Sequence, residues 1–203
     1  MLRRLTFLRE DFLLLNHVGT QTIKTRRLIL RRFDECDLNS MFSNWASDDK
    51  VQSDYGEPVY STIEEAKGLL EKYISSYEKC ETYRWAVILK DNGECIGQAA
   101  YFIVDTHNQF CEIEYCIGQK YQNQGYITEA VKAIVDFGFQ NVHFNRIQVS
   151  HRHVNIPSRR VIEKCGFIYE GTLRNFFNHL GEFHDRLYYS ILREEWKKMS
   201  ARA

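Results

Sequence analysis

Three apolar runs follow one another with almost nothing between them: YRWAVILK at 83–90, ECIGQAAYFIVD at 94–105 and QFCEIEYCIG at 109–118. Each is rich in β-branched and aromatic residues and reads as a strand. The connectors, Asp91-Asn92-Gly93 and 106–108, are far shorter than the dozen or so residues a parallel crossover needs. The three runs therefore predict an antiparallel meander. The third runs almost directly into IGQKYQNQGYITEAVKAIVDFGF, in which Gln122, Asn123 and Gln124 lead to Gly125 and then to a helical pattern over about 125–140. A glycine at a helix start lets the backbone approach a ligand, and the unpaired N–H groups there suit an anion.

The flanking segments complete a mixed α/β order. TRRLILRRF at 25–33 alternates as a strand, and DECDLNSMFSNWAS reads as a helix behind Asp34. STIEEAKGLLEKYISSYEK predicts a helix capped by Ser61, with Glu64 completing a capping box. RIQVSH is a short strand, and NIPSRRVIEKCGF a helix capped by Asn155 with Pro157 in its first turn and Gly166 at its end. Two strands joined around Gly181 close the order β-α-α-β-β-β-α-β-α-β-β. With 203 residues and no repeat, one core is expected: a single domain over 23–203 behind an N-terminal extension, 1–22.

Composition narrows the function. Lys plus Arg and Asp plus Glu are 27 each, so no overall field recruits nucleic acid or an anionic membrane. The six cysteines form no C-x-x-C pair, which argues against zinc spacing and against a secreted disulfide framework. The leucine-rich start is interrupted by Arg9, Glu10 and Asp11 and never approaches the roughly 18 apolar residues of a spanning helix. It reads as a short helical extension of a cytoplasmic protein, with a transit peptide as the minor alternative. No metal is expected: His151 and His153 form an H-x-H with no third ligand and read as strand-end residues. The order of strands and the absence of G-x-G-x-x-G and G-K-[ST] exclude a dinucleotide fold and a triphosphate loop.

Between about Thr25 and Trp196 the chain resembles the GNAT acetyltransferases, and more narrowly the branch containing the ribosomal-protein N-terminal acetyltransferases. Two segments carry the resemblance. Gln122-Asn123-Gln124-Gly125-Tyr126-Ile127 is similar to the Q/R-x-x-G-x-G/A pattern, departing from it at Ile127, which implies a slightly shifted helix start. NIPSRRVIEKCGFIYEGTLR matches N-x-x-S-x-x-x-x-E-K-x-G-F-x-x-E-G-x-x-R through Asn155, Ser158, Glu163, Lys164, Gly166, Phe167, Glu170, Gly171 and Arg174. The resemblance implies a GNAT-type α+β fold, a mixed, mostly antiparallel sheet flanked by helices. It also implies acetyl-CoA as co-substrate, held by Tyr115, Cys116, Ile117, the turn from Gln122 to Ile127, Thr128, Asn155 and Ser158.

Direct transfer of acetyl to a primary amine is the implied reaction. A protein N-terminus is the first acceptor considered. A small-molecule amine (polyamine, amino acid or aminoglycoside) and a non-catalytic CoA-binding module stay as alternatives, and the protein is expected as a monomer or homodimer. Ser158 is the implied donor to the leaving thiolate; a serine in a helix's first turn can equally cap that helix. Ile162 stands where other members carry an acidic tyrosine, and Phe177 where some relatives carry a glutamate base. Glu112 and Glu114, two apart on one strand face, are left as candidates for base or substrate positioning against the reading of a solvated face. Cys116 raises an acyl-cysteine route against a packing role. Arg159 and Arg160 could attract CoA phosphates or simply be solvated.

Overall fold

A computed structural model describes residues 15–179 and 181–201. The meander forms as expected: β3 (Tyr83–Leu89), β4 (Cys95–Asp105) and β5 (Phe110–Ile117) pair antiparallel in sequence order. They sit in the middle of one eight-stranded sheet, ordered β1-β2-β3-β4-β5-β6-β8-β7. Its other strands are β1 (Ile23–Lys24), β2 (Leu28–Arg31), β6 (Arg146–Arg152), β7 (Ile168–His179) and β8 (Glu182–Leu192). One junction is parallel, β5 with β6, and it holds only from Phe110↔Arg146 to Ile113↔Val149. Beyond Ile113 and Val149 the two strands part, and the sheet opens into a V.

The helix between those strands, α4 (Tyr126–Phe137), covers one face with α5 (Ile156–Lys164). Ile127, Ala130, Val131 and Ile134 pack against Leu28, Trp85, Ile96 and Ile113. Tyr83, Trp85, Tyr101 and Phe137 fill this core with tilted and edge-on ring contacts at centroid distances of 5.1–6.3 Å. The opposite face is covered at one end by α1 (Leu38–Met41), α2 (Asp49–Tyr55) and α3 (Ile63–Ser76), around Trp45, Met41 and Leu70. A last helix, α6 (Arg193–Ser200), stacks Trp196 on Phe139.

Several boundaries differ from the sequence expectation. The strand expected over 25–33 is shortened to Leu28–Arg31 and preceded by the two-residue β1, because Thr25 and Leu28 close a turn on each other through backbone and hydroxyl. The cap of α3 is Thr62 rather than Ser61, and its capping box uses Glu65; the same Glu65 carboxylate also accepts from the Ser61 amide at 2.7 Å, so both N–H groups converge on one acid. The helix after Asp34 is a 3-10 turn, one α turn and a π turn in succession, and α2 and α6 were not anticipated. The helix placed at 125–140 has its α portion at Tyr126–Phe137, followed by a π turn to Val142.

Most of the N-terminal extension lies outside the described residues; of its remainder, Asn16 bonds the Val142 and Asn141 carbonyls. No helix among the described residues is long and apolar enough to cross a membrane.

Candidate active site

The parting of β5 and β6 creates a cavity of about 450 Å³, within the usual range of roughly 300–1,000 Å³ for ligand pockets. Tyr115, Cys116, Ile117, Gln122, Asn123, Gly125, Tyr126, Ile127, Thr128, Asn155 and Ser158 all line it. Gln124, expected with them, does not: its amide donates to the Lys120 carbonyl and its own carbonyl accepts from Arg27.

The turn into α4 is shaped by two left-handed residues, Asn123 at φ 61° and Gly125 at φ 79°. Such alternation fans successive N–H groups toward one point. Gly125 is the N-cap and supplies no side-chain acceptor, so the first-turn amides of a twelve-residue helix stay available to an anion. Ile127, the departure from the family pattern, is buried and packs into the core.

Arg27, which sequence reasoning did not single out, braces this turn. Its Nε donates to Glu129 at 2.7 Å, its Nη1 to the Gln124 carbonyl at 2.9 Å, and its guanidinium lies 4.4 Å from the Tyr126 ring centre. Arg27→Ala would take from Glu129 its ion pair in the first turn of α4, leaving the Thr25 hydroxyl and the backbone N–H of residue 27 as its donors. We expect acetyl-CoA affinity to fall roughly tenfold by calorimetry, the scale of a lost hydrogen bond to a charged group.

On the far side of the V, Asp54, Tyr55, Gly56 and Glu57 from the end of α2 meet Glu114 of β5, Arg152 of β6, Phe177 of β7 and Arg186 of β8. The α2 helix ends on Gly56, φ 88°, where a Cβ would come within 3.0 Å of the Phe177 ring. Phe177 in turn lies 5.7 and 5.5 Å from the Arg152 and Arg186 guanidiniums.

The three carboxylates differ. Glu114 is ion-paired to Arg84 at 2.7 Å, and Asp54 stands 3.8 Å from Arg152. Glu57 has no ion pair among the described residues and is exposed at the cavity mouth. What burial its carboxyl has, and then the charge of Glu114, push it above the usual carboxylate range, with Arg84 pulling the other way. Glu112 lies outside the cavity lining: it is buried, accepts from Gln148 and Ser150 at 2.8 and 2.6 Å, and faces Arg186 at 4.0 Å.

Ser158 sits in the first turn of α5, its N–H bonded to the Asn155 side chain at 3.0 Å, so Asn155 caps the helix and the serine hydroxyl is spared that task. That hydroxyl instead meets the Tyr115 phenol at 2.9 Å. Burial pushes the Cys116 thiol up to about 12, which leaves it a poor nucleophile near neutral pH. Arg159 is paired to Glu163, whereas Arg160 and Lys164 line the cavity. His151 is buried, with Nδ1 against the Arg152 carbonyl and its ring stacked on Tyr189.

A family model described as an acetyltransferase (GNAT) domain matches residues 27–168. An uncharacterized N-acetyltransferase of Bacillus subtilis (strain 168), YnaD, is 33% identical over 174 residues, 86% of this chain and 98% of the relative. Two more distant solved structures share the fold. The ribosomal-protein-S5-alanine acetyltransferase of Vibrio fischeri is 20% identical with a TM-score of 0.74, covering 87% of this chain and 98% of that one. The spermidine N-acetyltransferase of Vibrio cholerae, in complex with CoA and spermine, is 21% identical with a TM-score of 0.73, covering 85% and 99%.

Proposed function

The chain belongs to the GNAT acetyltransferase family and is an N-acetyltransferase; from that premise we propose that it moves acetyl from acetyl-CoA directly to an α-amine at a protein N-terminus. The observation that carries the reading is the single cavity in which an uncapped helix start, a serine hydroxyl and one unpaired carboxylate meet. The Gln122 amide is bonded to the Gln119 carbonyl, and the fanned amides at 123–127 take the diphosphate of CoA, with Arg160 and Lys164 as supporting cations. The acetyl thioester then lies beside Ser158, and the acceptor enters between Glu57 and Phe177.

Attack needs a neutral amine, because an ammonium has no lone pair. Glu57 takes that proton: it is the cavity carboxylate without a cation of its own, and its raised pKa brings it nearer to that of a useful base. Glu114, held by Arg84, positions the acceptor. As nitrogen bonds to the carbonyl carbon, the C–S bond breaks, its electron pair stays on sulfur, and Ser158 donates to the thiolate.

Charge counting favours the N-terminus over a polyamine. A polyamine brings several positive charges, whereas only Glu57 among the cavity carboxylates lacks an ion-pair partner. One free carboxylate suits one ammonium.

Thiol release from acetyl-CoA against alanine- and serine-led peptides and spermidine tests the reading. The peptides are expected to exceed spermidine in kcat/KM by about tenfold or more, the discrimination that one unpaired charge supplies. A preference for spermidine would replace the acceptor class. CoA binding with no amine turned over would instead make the chain a CoA-binding module.

A further inference from the structure

We infer that Tyr115 is a positioning residue for the departing thiolate: its phenol holds the Ser158 hydroxyl so that the serine proton points at the sulfur of CoA. This rests on the reading of the cavity as a CoA site. The phenol oxygen lies 2.9 Å from Ser158 Oγ and 3.2 Å from the Ser158 carbonyl oxygen. Both residues line the cavity, Tyr115 from the part of β5 that has left β6 and Ser158 from the start of α5. Ile162, fully buried in the core, offers no hydroxyl from α5 itself. The strand supplies the phenol instead.

Hydrogen-bond counting gives the phenol its task. A hydroxyl has one proton and two lone pairs. A serine in the first turn of a helix tends to donate back into its own backbone, which would turn its proton away from a ligand. The phenol's single proton has two acceptors in reach, the Ser158 carbonyl at 3.2 Å and Ser158 Oγ at 2.9 Å; placed on the shorter contact, it occupies one lone pair of Oγ and leaves the serine proton for the sulfur.

Acidities decide between holding and giving. A thiol has a reference pKa near ~8.5 and a phenol near ~10, so passing the phenol proton outright to the thiolate is uphill by about thirtyfold. Burial pushes Tyr115 further up and widens that gap. The phenol therefore keeps its proton, and the pair works by hydrogen bonding to charge as it grows on sulfur. The proton balance closes at nitrogen: the ammonium gives its first proton to the Glu57 carboxylate, which passes it to solvent, the nitrogen gives a second to the same carboxylate once it has bonded to carbon, and the thiolate leaves with the electron pair of the C–S bond.

The test uses the full chain and CoA alone, so it does not depend on the acceptor. The thiol of bound CoA is titrated by its ultraviolet thiolate absorbance, with CoA affinity measured on the same samples. In the wild type the bound thiol should titrate below free CoA. Tyr115→Phe and Ser158→Ala should each return it upward by roughly tenfold in acid constant, and the double variant no further, because Tyr115 acts through Ser158.

A circular-dichroism spectrum and thermal melt like those of the wild type would report that the fold of Tyr115→Phe is intact, and kcat should fall by about tenfold with KM little moved. The inference is overturned if Tyr115→Phe leaves the bound thiol at its wild-type value, or if its effect is as large with Ser158→Ala as without it. A wild type that binds no CoA removes the reading of the cavity, and the inference with it.

Discussion

Gly125→Val is expected to raise the dissociation constant of acetyl-CoA by about 100-fold, or ~2.7 kcal/mol, while the domain still folds. Gly125 sits at φ 79°, a region where a β-branched residue is strained, and a Cβ there would approach Arg27 Nη2 to 3.4 Å. Holding valine in that conformation costs of order 1–3 kcal/mol. The turn is exposed and has room to relax, so the strain is released by moving the backbone. That movement dissolves the fan of amides, and the loss falls on the ligand. Calorimetry gives the affinity, and circular dichroism with a thermal melt shows whether the fold persists. Wild-type affinity in Gly125→Val would remove the α4 start from the binding site.

Glu57→Gln should lower kcat by about 100-fold near neutral pH, the low end of the contribution of a positioned general base. The sign of the pH effect follows from its role. A base works deprotonated, so wild-type activity should fall as pH drops through the Glu57 pKa, which its surroundings raise above the usual carboxylate value. Glutamine cannot accept the proton, so the variant depends on amine that is already neutral and should recover part of its rate at high pH. The amine's own titration produces a similar limb, and only the comparison of wild type and variant separates the two. Glu114→Gln loosens Arg84 and should chiefly raise KM. Equal pH profiles for wild type and Glu57→Gln would exclude Glu57 as the base.

Much of this scaffold was legible because its local signals are strong. Strands β3, β4 and β5 are runs rich in apolar, β-branched and aromatic residues joined by short turns, and α4 and α5 carry glycine, asparagine and proline where helix ends need them. The two glutamates mark the limit. Alternation puts Glu112 and Glu114 on one face, but it does not say where strand pairing stops. It stops at Ile113, so Glu112 lies on the closed side, satisfied by its neighbours, and Glu114 lies in the cavity. Glu57 was illegible for a different reason: it lies in an irregular stretch before Pro58, and its environment comes from β5 and the β7–β8 hairpin. The Tyr115 and Ser158 contact joins residues 43 positions apart, a distance no local pattern reports. At α3 the cap moved by one residue because Ser61 and Thr62 are both good caps, and it is the Thr62 hydroxyl that accepts from the Glu65 amide.

The V in the sheet also has a mechanical side. Strands β1–β5 and strands β6, β8 and β7 form two leaves whose backbones are joined along only four residue pairs, Phe110↔Arg146 to Ile113↔Val149. The sheet is thus hinged at one end and free at the other, and a ligand laid along the V ties the free margins together as a latch would. Amide exchange should report this: without CoA the backbone of 114–117 and 150–152 opens more readily than the hinge, and with CoA the two become similarly slow. At a ligand concentration of 100 times the dissociation constant the latch adds about 2.7 kcal/mol against unfolding, so occupancy can be read as resistance to opening before any acetyl group has moved.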